Sequence, residues 1–489
     1  MLPNYSTDDV CPSSLNSDSN HFDMMNIAES FSIIDFYKNK TIFITGATGF
    51  IGKVLLQQIL SKCCSVRKIY LLIRSKRSES CHERLAKMLS TSILFKNLQD
   101  KFHLIKAIDG DITAKDLSLS EEDRNRLIEE KIYPVVTDKD VEVYLKQLTE
   151  KYADYDLPEG HSALQNRPNP YTLSKAIAEW LVKEKYQSTL PIIVCRPSIV
   201  ISSYKEPFPG WCDSISGVSG SFILFGLGIG QKFIVDKTKT TDLIPVDLVV
   251  NSLIVCGAYR ASSHYSPDKN VVHITTSNLN PVSWDRLFNL CIDFERRIPS
   301  LKQVRPISID YSNNYTTVFD KFRYKFHQII NHLLFAAIFD LIFMVMGHKP
   351  LMVKIIQRFH KLMFEMKFFS LRQWNFVNNN LPYIYKLVDE KERPLFNCDV
   401  TTIDWEDFAA SMCHGLRKYL LKDPDSTYEQ ARLRRHRIHV GFRLFAIFKY
   451  FLFYFICKKY LLETILDVTF FYSIPFTIID LAIYSYLIR

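Results

Sequence analysis

What the sequence lacks narrows it first. Its eleven cysteines include no CxxC pair, so the spacing of a structural zinc site is missing and no metal is expected. The first twenty residues, MLPNYSTDDVCPSSLNSDSN, contain no cationic segment followed by an apolar run. They read as a polar, disordered lead rather than a secretory signal, and reduced cytosolic thiols are the corresponding expectation. A third absence is local: no carboxylate follows the second strand, in LLIRSKR. A fourth is a break in rhythm, taken up below.

What is present is aromatic and basic. Thirty-five Phe and twenty-five Tyr suit a lipid-facing surface or an apolar tunnel, and the net charge is +9. Arg432, Arg434, Arg435, Arg437 and Arg443 crowd together just before an apolar run. That placement suits a juxtamembrane cluster better than a nucleic-acid face, so no nucleic-acid partner is expected.

KTIFITGATGFIGKVLLQQIL reads as a buried strand, a glycine turn and a helix with Val54, Leu55, Ile59 and Leu60 inward. Lys68–Arg74 reads as a second strand, HERLAKMLS as a helix, and Phe102–Ile112 as a third strand with its turn. Strands and helices alternating at roughly thirty-residue intervals predict an α/β fold, a Rossmann-type parallel sheet with helices on both faces. From Thr113 to Leu190 the rhythm fails, IYPVV being the one strand candidate. A buried strand returns at Leu190–Val200, followed by an apolar helix in DLIPVDLVVNSLIVCGA and a last strand in NVVHITTS.

Glycines at 46, 49 and 52 follow a strand and open a helix, the setting a dinucleotide fingerprint requires. The first permits the turn, the second lets backbone approach a pyrophosphate, and the third packs helix on strand. Arg74, Lys76 and Arg77 suit the extra phosphate of NADP, with a solvated basic loop as the alternative. Asp111 could reach the adenine edge or cap its loop. Tyr171 and Lys175 in NPYTLSKAIAEWLV stand one helical turn apart on one face. Alone, such a pair is more often the start of an ordinary amphipathic helix than a proton-transfer device.

TGATGFIG, IEEKIYP, NPYTLSKAIAEWLV, CRPSIVISSYKEPFPGWCD, DLIPVDLVVN, FFSLRQWNFVNNN, LFNCDVTTIDWEDF and GLRKYLLKD together carry a resemblance. From about Lys38 to Asp423 the chain resembles the alcohol-forming fatty acyl-CoA reductases, the insect type in particular, within the extended short-chain dehydrogenase/reductases. The resemblance implies NADPH-dependent reduction of a long-chain acyl-CoA to a primary alcohol, with CoA released and two NADPH used. It makes Tyr171 and Lys175 catalytic: tyrosine as general acid to the developing alkoxide, lysine favouring the phenolate and holding the ribose. Thr45, Gly46, Thr48, Gly49, Phe50, Ile51, Gly52, Arg74, Asp111, Lys175 and Pro197 would hold the cofactor.

The family has two further βα units between the third strand and IEEKIYP, the second ending in a catalytic serine. Here NRLIEEKIYP joins directly, so about sixty residues are absent at about thirty per unit. Ser174, inside the tyrosine–lysine turn, is no evident replacement. A catalytically impaired splice form, or an acyl-CoA-binding remnant, is therefore the alternative to an active enzyme. The expected domains are a lead over 1–37, a Rossmann domain over 38–280, a helical domain over 281–431 and a membrane-anchoring tail over 432–489. Apolar stretches at 330–347, 440–457 and 468–488 predict membrane attachment, with the catalytic domain in the cytosol. The endoplasmic reticulum is the expected organelle, the peroxisomal membrane the alternative, and a homodimer is left open.

Overall fold

The computed structural model describes residues 30–76, 79–110, 169–182, 190–215, 217–313, 315, 317–374 and 376–460. The IYPVV segment, Asp111 and the apolar stretch at 468–488 lie outside them.

Helix α1 (Ile33–Tyr37) is capped by the Ser32 hydroxyl and buries Ile33. Glu392 accepts from the Ser32 hydroxyl at 2.7 Å and from the Ile33 N–H at 2.6 Å. Part of the lead expected to be disordered through residue 37 is thus ordered: one carboxylate ties it to residues 360 positions away.

Strands β1 (Thr41–Thr45), β2 (Lys68–Ile73) and β3 (Ile105–Asp109) form a parallel sheet in that order, with Thr41 opposite Lys68 and Ile69 opposite Ile105. Helices α2 (Phe50–Lys62) and α3 (Cys81–Thr91) make the crossovers. Val54, Leu56, Ile59 and Leu60 of α2 are buried, so Leu56 takes the place expected for Leu55. The third strand is shorter than expected, because Gln99–Leu104 winds into a 3₁₀ segment first.

Helix α4 (Pro170–Leu181) has Asn169 as N-cap and proline in its first turn, which explains its abrupt start. The strand expected over 190–200 is two: β4 (Val194–Pro197) and β5 (Ile199–Ile201). The Ser198 N–H donates to the Ile274 oxygen and the Ile199 N–H to the Asp242 oxygen, so the chain changes neighbours there. Accordingly β5 pairs in parallel with β6 (Leu243–Pro245) and β4 with β7 (Val271–Ile274). Among the described residues β1 has a strand partner only on its β2 side, so the 3-2-1 half of the expected sheet is seen as one unit.

Helix α5 (Val246–Ala261) runs through the main core, buried along most of its length. Beyond it, α6 (Trp284–Arg297) packs against later helices. The boundary expected at 280 falls in the turn between β7 and the short strand Val282–Ser283, whereas the one expected at 431 falls inside a helix. Val282–Ser283 pairs with Thr240–Thr241 across the first. Across the second runs one continuous helix, Tyr428–Tyr460. The helical region adds α7 (Val318–Val345), which contains a π turn at Gln328–Leu333, then α8 (Met352–Ser370), α9 (Trp405–Gly415) and α10 (Tyr428–Tyr460).

Candidate active site

The glycine turn is built as its spacing requires. Gly46 has a φ of +69°, a conformation that disfavours any β-carbon. The Gly49 N–H donates to the Gly46 oxygen at 2.9 Å. A β-carbon at Gly52 would overlap that same oxygen and lie 2.8 Å from the Ala47 α-carbon. Gly49 is the N-cap of α2 and brings no capping side chain. The first-turn amides of Phe50, Ile51 and Gly52, with the positive end of the helix, therefore suit an anion.

Thr45 ends β1 and is exposed, while Thr48 sits in the turn at the edge of a cavity of about 530 Å³. Lys53, Lys76, Arg84, Lys87 and Lys422 border that cavity, with Glu79 and Asp213 as its acidic members. The cavity joins the glycine turn to the end of β2, the span that the phosphates of an adenine dinucleotide occupy. Two of the cations are in ion pairs: Lys53 with Asp213, and Lys87 with Glu79 at 2.5 Å. The hydrogen bond from Lys87 holds the Glu79 carboxyl below its ordinary range. Arg74 follows β2 directly, and its carbonyl oxygen accepts from the Arg84 guanidinium. Asp109, at the end of β3, accepts from the Ser75 N–H at 2.9 Å and so caps this loop.

Tyr171 and Lys175 share a face of α4, with the Lys175 ammonium 5.6 Å from the centre of the Tyr171 ring. The Ser174 hydroxyl is turned back to the Tyr171 carbonyl at 2.8 Å. Tyr171 is 68% exposed, and neither it nor Lys175 lines the cavity at the glycine turn. What ties α4 to the sheet is Glu179, which accepts from the Arg196 Nε at 2.9 and 3.0 Å. Pro197 ends β4 opposite Ile274. The structure thus sets the glycine turn on a cationic cavity and, separately, the tyrosine–lysine pair on α4.

Sequence reading noted the KEPFPGW block without seeing its place. Trp211 stacks on Phe50 of the glycine turn, ring centres 5.5 Å apart and planes 13° apart. Buried Asp247 holds the approach to this loop, accepting from the N–H groups of Tyr204, Lys205 and Glu206 at 2.9, 2.9 and 3.1 Å. Burial pushes the Asp247 carboxyl up, and the three amides oppose that. An aromatic beside a Gly-Phe turn was a visible signal, but nothing local showed which aromatic would arrive.

Family profiles described as "Male sterility protein" match residues 44–136 and 137–253, and a second profile with the same description matches 331–423. Fatty acyl-CoA reductase 1 of Xenopus laevis is 29% identical over 472 aligned positions, which take in 83% of this chain and 90% of the relative. The human protein of that name is 28% identical over 470 positions, with the same coverage. The chain belongs to the fatty acyl-CoA reductase family. Its fold is also that of a solved reductase domain, the terminal R domain from the myxalamid PKS-NRPS pathway. That likeness has a TM-score of 0.50 at 19% identity and covers 79% of this chain and 93% of the domain.

Proposed function

We propose that this protein reduces a long-chain fatty acyl-CoA to the primary alcohol, with NADPH as the reductant and CoA released. The observation that carries the reading is the uncapped turn at Gly46, Gly49 and Gly52 opening onto a cationic cavity, in a chain of this family. The residues fit the cofactor: a β-carbon at Gly52 would fill the turn, and first-turn amides stand unmatched by a cap. Thr45, Gly46, Thr48, Gly49, Phe50, Ile51 and Gly52 would hold its phosphates, and Pro197 and Asp111 are assigned to the cofactor by the family resemblance. Arg74 and Lys76, in the run LLIRSKR that contains no acidic residue, favour the additional phosphate of NADPH. When bound, the dinucleotide supplies hydride. Tyr171 gives its phenolic proton to the substrate oxygen as charge develops there, and Lys175 stabilises the phenolate left behind and holds the ribose.

A second reading, a catalytically impaired form lacking two βα units, is favoured by three observations. The 472 aligned positions occupy 83% of a 489-residue chain, about 406 residues, so about 66 positions face no residue here. The family profile is itself split at 136/137. β1 pairs on one side among the described residues, and Phe43, Tyr70, Leu72 and Ile108 form a small cluster apart from the main core.

The remaining assignments follow the same reading. The sequence resemblance assigns the chain to the insect-type members of the family. The proposed organisation is a lead over 1–37, a cofactor domain over 38–280, a helical domain over 281–431 and a membrane-anchoring tail over 432–489; the profile matches at 44–253 and 331–423 fall inside the second and third. The anchored protein sits in the endoplasmic reticulum with its catalytic domain in the cytosol. The test is alcohol formation from palmitoyl-CoA and NADPH on membranes carrying the chain, beside a Tyr171→Phe preparation. Alcohol from the first and none from the second supports catalysis by Tyr171. No alcohol from either, with both proteins present, supports the impaired form.

A further inference from the structure

Helix α7 is inside out. Its inward residues, four apart, are Tyr324, Gln328, His332, Ala336 and Asp340, all buried. Its outward residues include Phe322, Phe326, Leu334, Ile338, Leu341 and Val345, all exposed, the last at 83%. A helix on the surface of a water-soluble protein has the opposite arrangement, with the apolar stripe inward.

The inward groups are held by specific partners. The Tyr324 hydroxyl lies 2.8 Å from His360 Nδ1, and His332 Nδ1 lies 2.9 Å from His360 Nε2. Asp340 accepts from the N–H groups of Leu351, Met352 and Val353 at 2.8, 2.7 and 3.0 Å, capping α8. The π turn at Gln328–Leu333 takes up extra residues, which keeps a four-residue stripe facing one side where a regular helix would rotate it away. From Phe326 to Met346 the ionisable groups are His327, His332 and Asp340. None of the three is on the exposed face.

We propose that the outward face of α7 is a membrane-contact surface lying along one leaflet, its apolar side chains among the acyl chains and its cationic ends on anionic headgroups. Three observations select lipid as the occupant. First, the face is rimmed by exposed cations: Lys321, Arg323 and Lys325 at one end, Lys349, Lys354 and Arg358 beyond the other. The two carboxylates between residues 318 and 358, Asp320 and Asp340, both serve as helix caps. Second, the apolar surface continues onto α10, where Phe442 meets Phe335 with ring centres 6.5 Å apart and Leu444, Phe448 and Phe451 are exposed. Third, α7 has the length and composition of a span, 28 residues with a mean hydropathy of 1.9 over its most apolar 18, yet one side is pinned to α8 by polar contacts. Crossing the bilayer would carry that polar seam into hydrocarbon, so α7 lies along the surface.

This deepens the membrane attachment proposed above and is separable from the tail. The test places the photoreactive residue p-benzoylphenylalanine in the full chain at Ile338 or Leu341, or at exposed Lys361 of α8 as control, and irradiates membranes expressing each. Adducts with phospholipid at 338 and 341, at least ten-fold above those at 361, are expected. Adducts with the chain's own residues 461–489 or with a second copy, or lipid yields no higher than at 361, overturn the inference. Retention on membranes through an alkaline wash reads the tail separately. A washed-off chain with strong lipid adducts at 338 and 341 would refute the tail anchor alone, and a chain absent from membranes before the wash would refute both.

Discussion

Gly210 and Gly415 meet backbone against backbone. A β-carbon at Gly415 would overlap the Gly210 carbonyl oxygen, and one at Gly210 would overlap the Ser411 carbonyl. Gly210 belongs to the KEPFPGW loop, which stacks Trp211 on the glycine turn; Gly415 ends α9 in the helical region. The KEPFPGW loop and the GLRKYLLKD segment that begins at Gly415 are therefore halves of one contact, which places the helical region against the loop that packs on the glycine turn.

Gly415→Ala should consequently destabilise the protein, because the obstacle is backbone and cannot rotate away. Overpacking at such a site costs about 1–3 kcal/mol. A drop of several degrees in the melting temperature of detergent-solubilised protein is expected, against no drop for Gly441→Ala, where nothing lies within 4 Å. Equal melting temperatures for the two variants would show that the contact yields.

Asp247→Ala would leave the amides of Tyr204, Lys205 and Glu206 without their acceptor. Each buried unsatisfied donor costs about 1–3 kcal/mol. The loop should loosen, and Trp211 with it, so that protease cleaves within 204–213 faster than in the parent. Asp247→Asn, which keeps one acceptor oxygen, should lie between the two.

Cofactor preference should depend on the end of β2. Replacing Arg74 and Lys76 together with alanine removes the cations proposed to meet the additional phosphate. KM for NADPH should rise by about ten-fold or more, while KM for NADH changes little. A parallel rise for both cofactors would instead indicate damage to the loop that Asp109 caps.

Glu295 should make stability depend on pH in the alkaline direction. Burial pushes its carboxyl up from 4.5 to about 8, with Arg417 and Arg435 acting against the rise. The folded state therefore holds a proton that the unfolded state releases near its ordinary value. That contribution is complete below about 4.5 and is lost as pH rises through about 8. Melting temperature should fall between pH 5 and pH 9, and Glu295→Gln should flatten the fall. An equally steep fall in the variant would assign it to other groups.

Local chemistry made much of this protein legible in one dimension. The strands at 41–45, 68–73 and 105–109, the glycine turn, the proline-led start at Asn169 and the helical spacing of Tyr171 and Lys175 depend on residues within a turn or two of each other. Such features persist in any fold that contains them, so spacing alone reveals them. Other features needed partners brought together from far along the chain. The strand at 190–200 divides because Ile274 and Asp242 take successive amides from different directions. Glu392 orders the end of the lead, and Trp211 reaches Phe50 across 161 positions. The apolar run at 330–347 was visible as composition, but which side faced outward was not. Asp340 and His332 would count against a membrane surface in a hydropathy reading. Only packing against Met352 and His360 turns them inward, because buried polar groups must find partners and the apolar side is then left to face out.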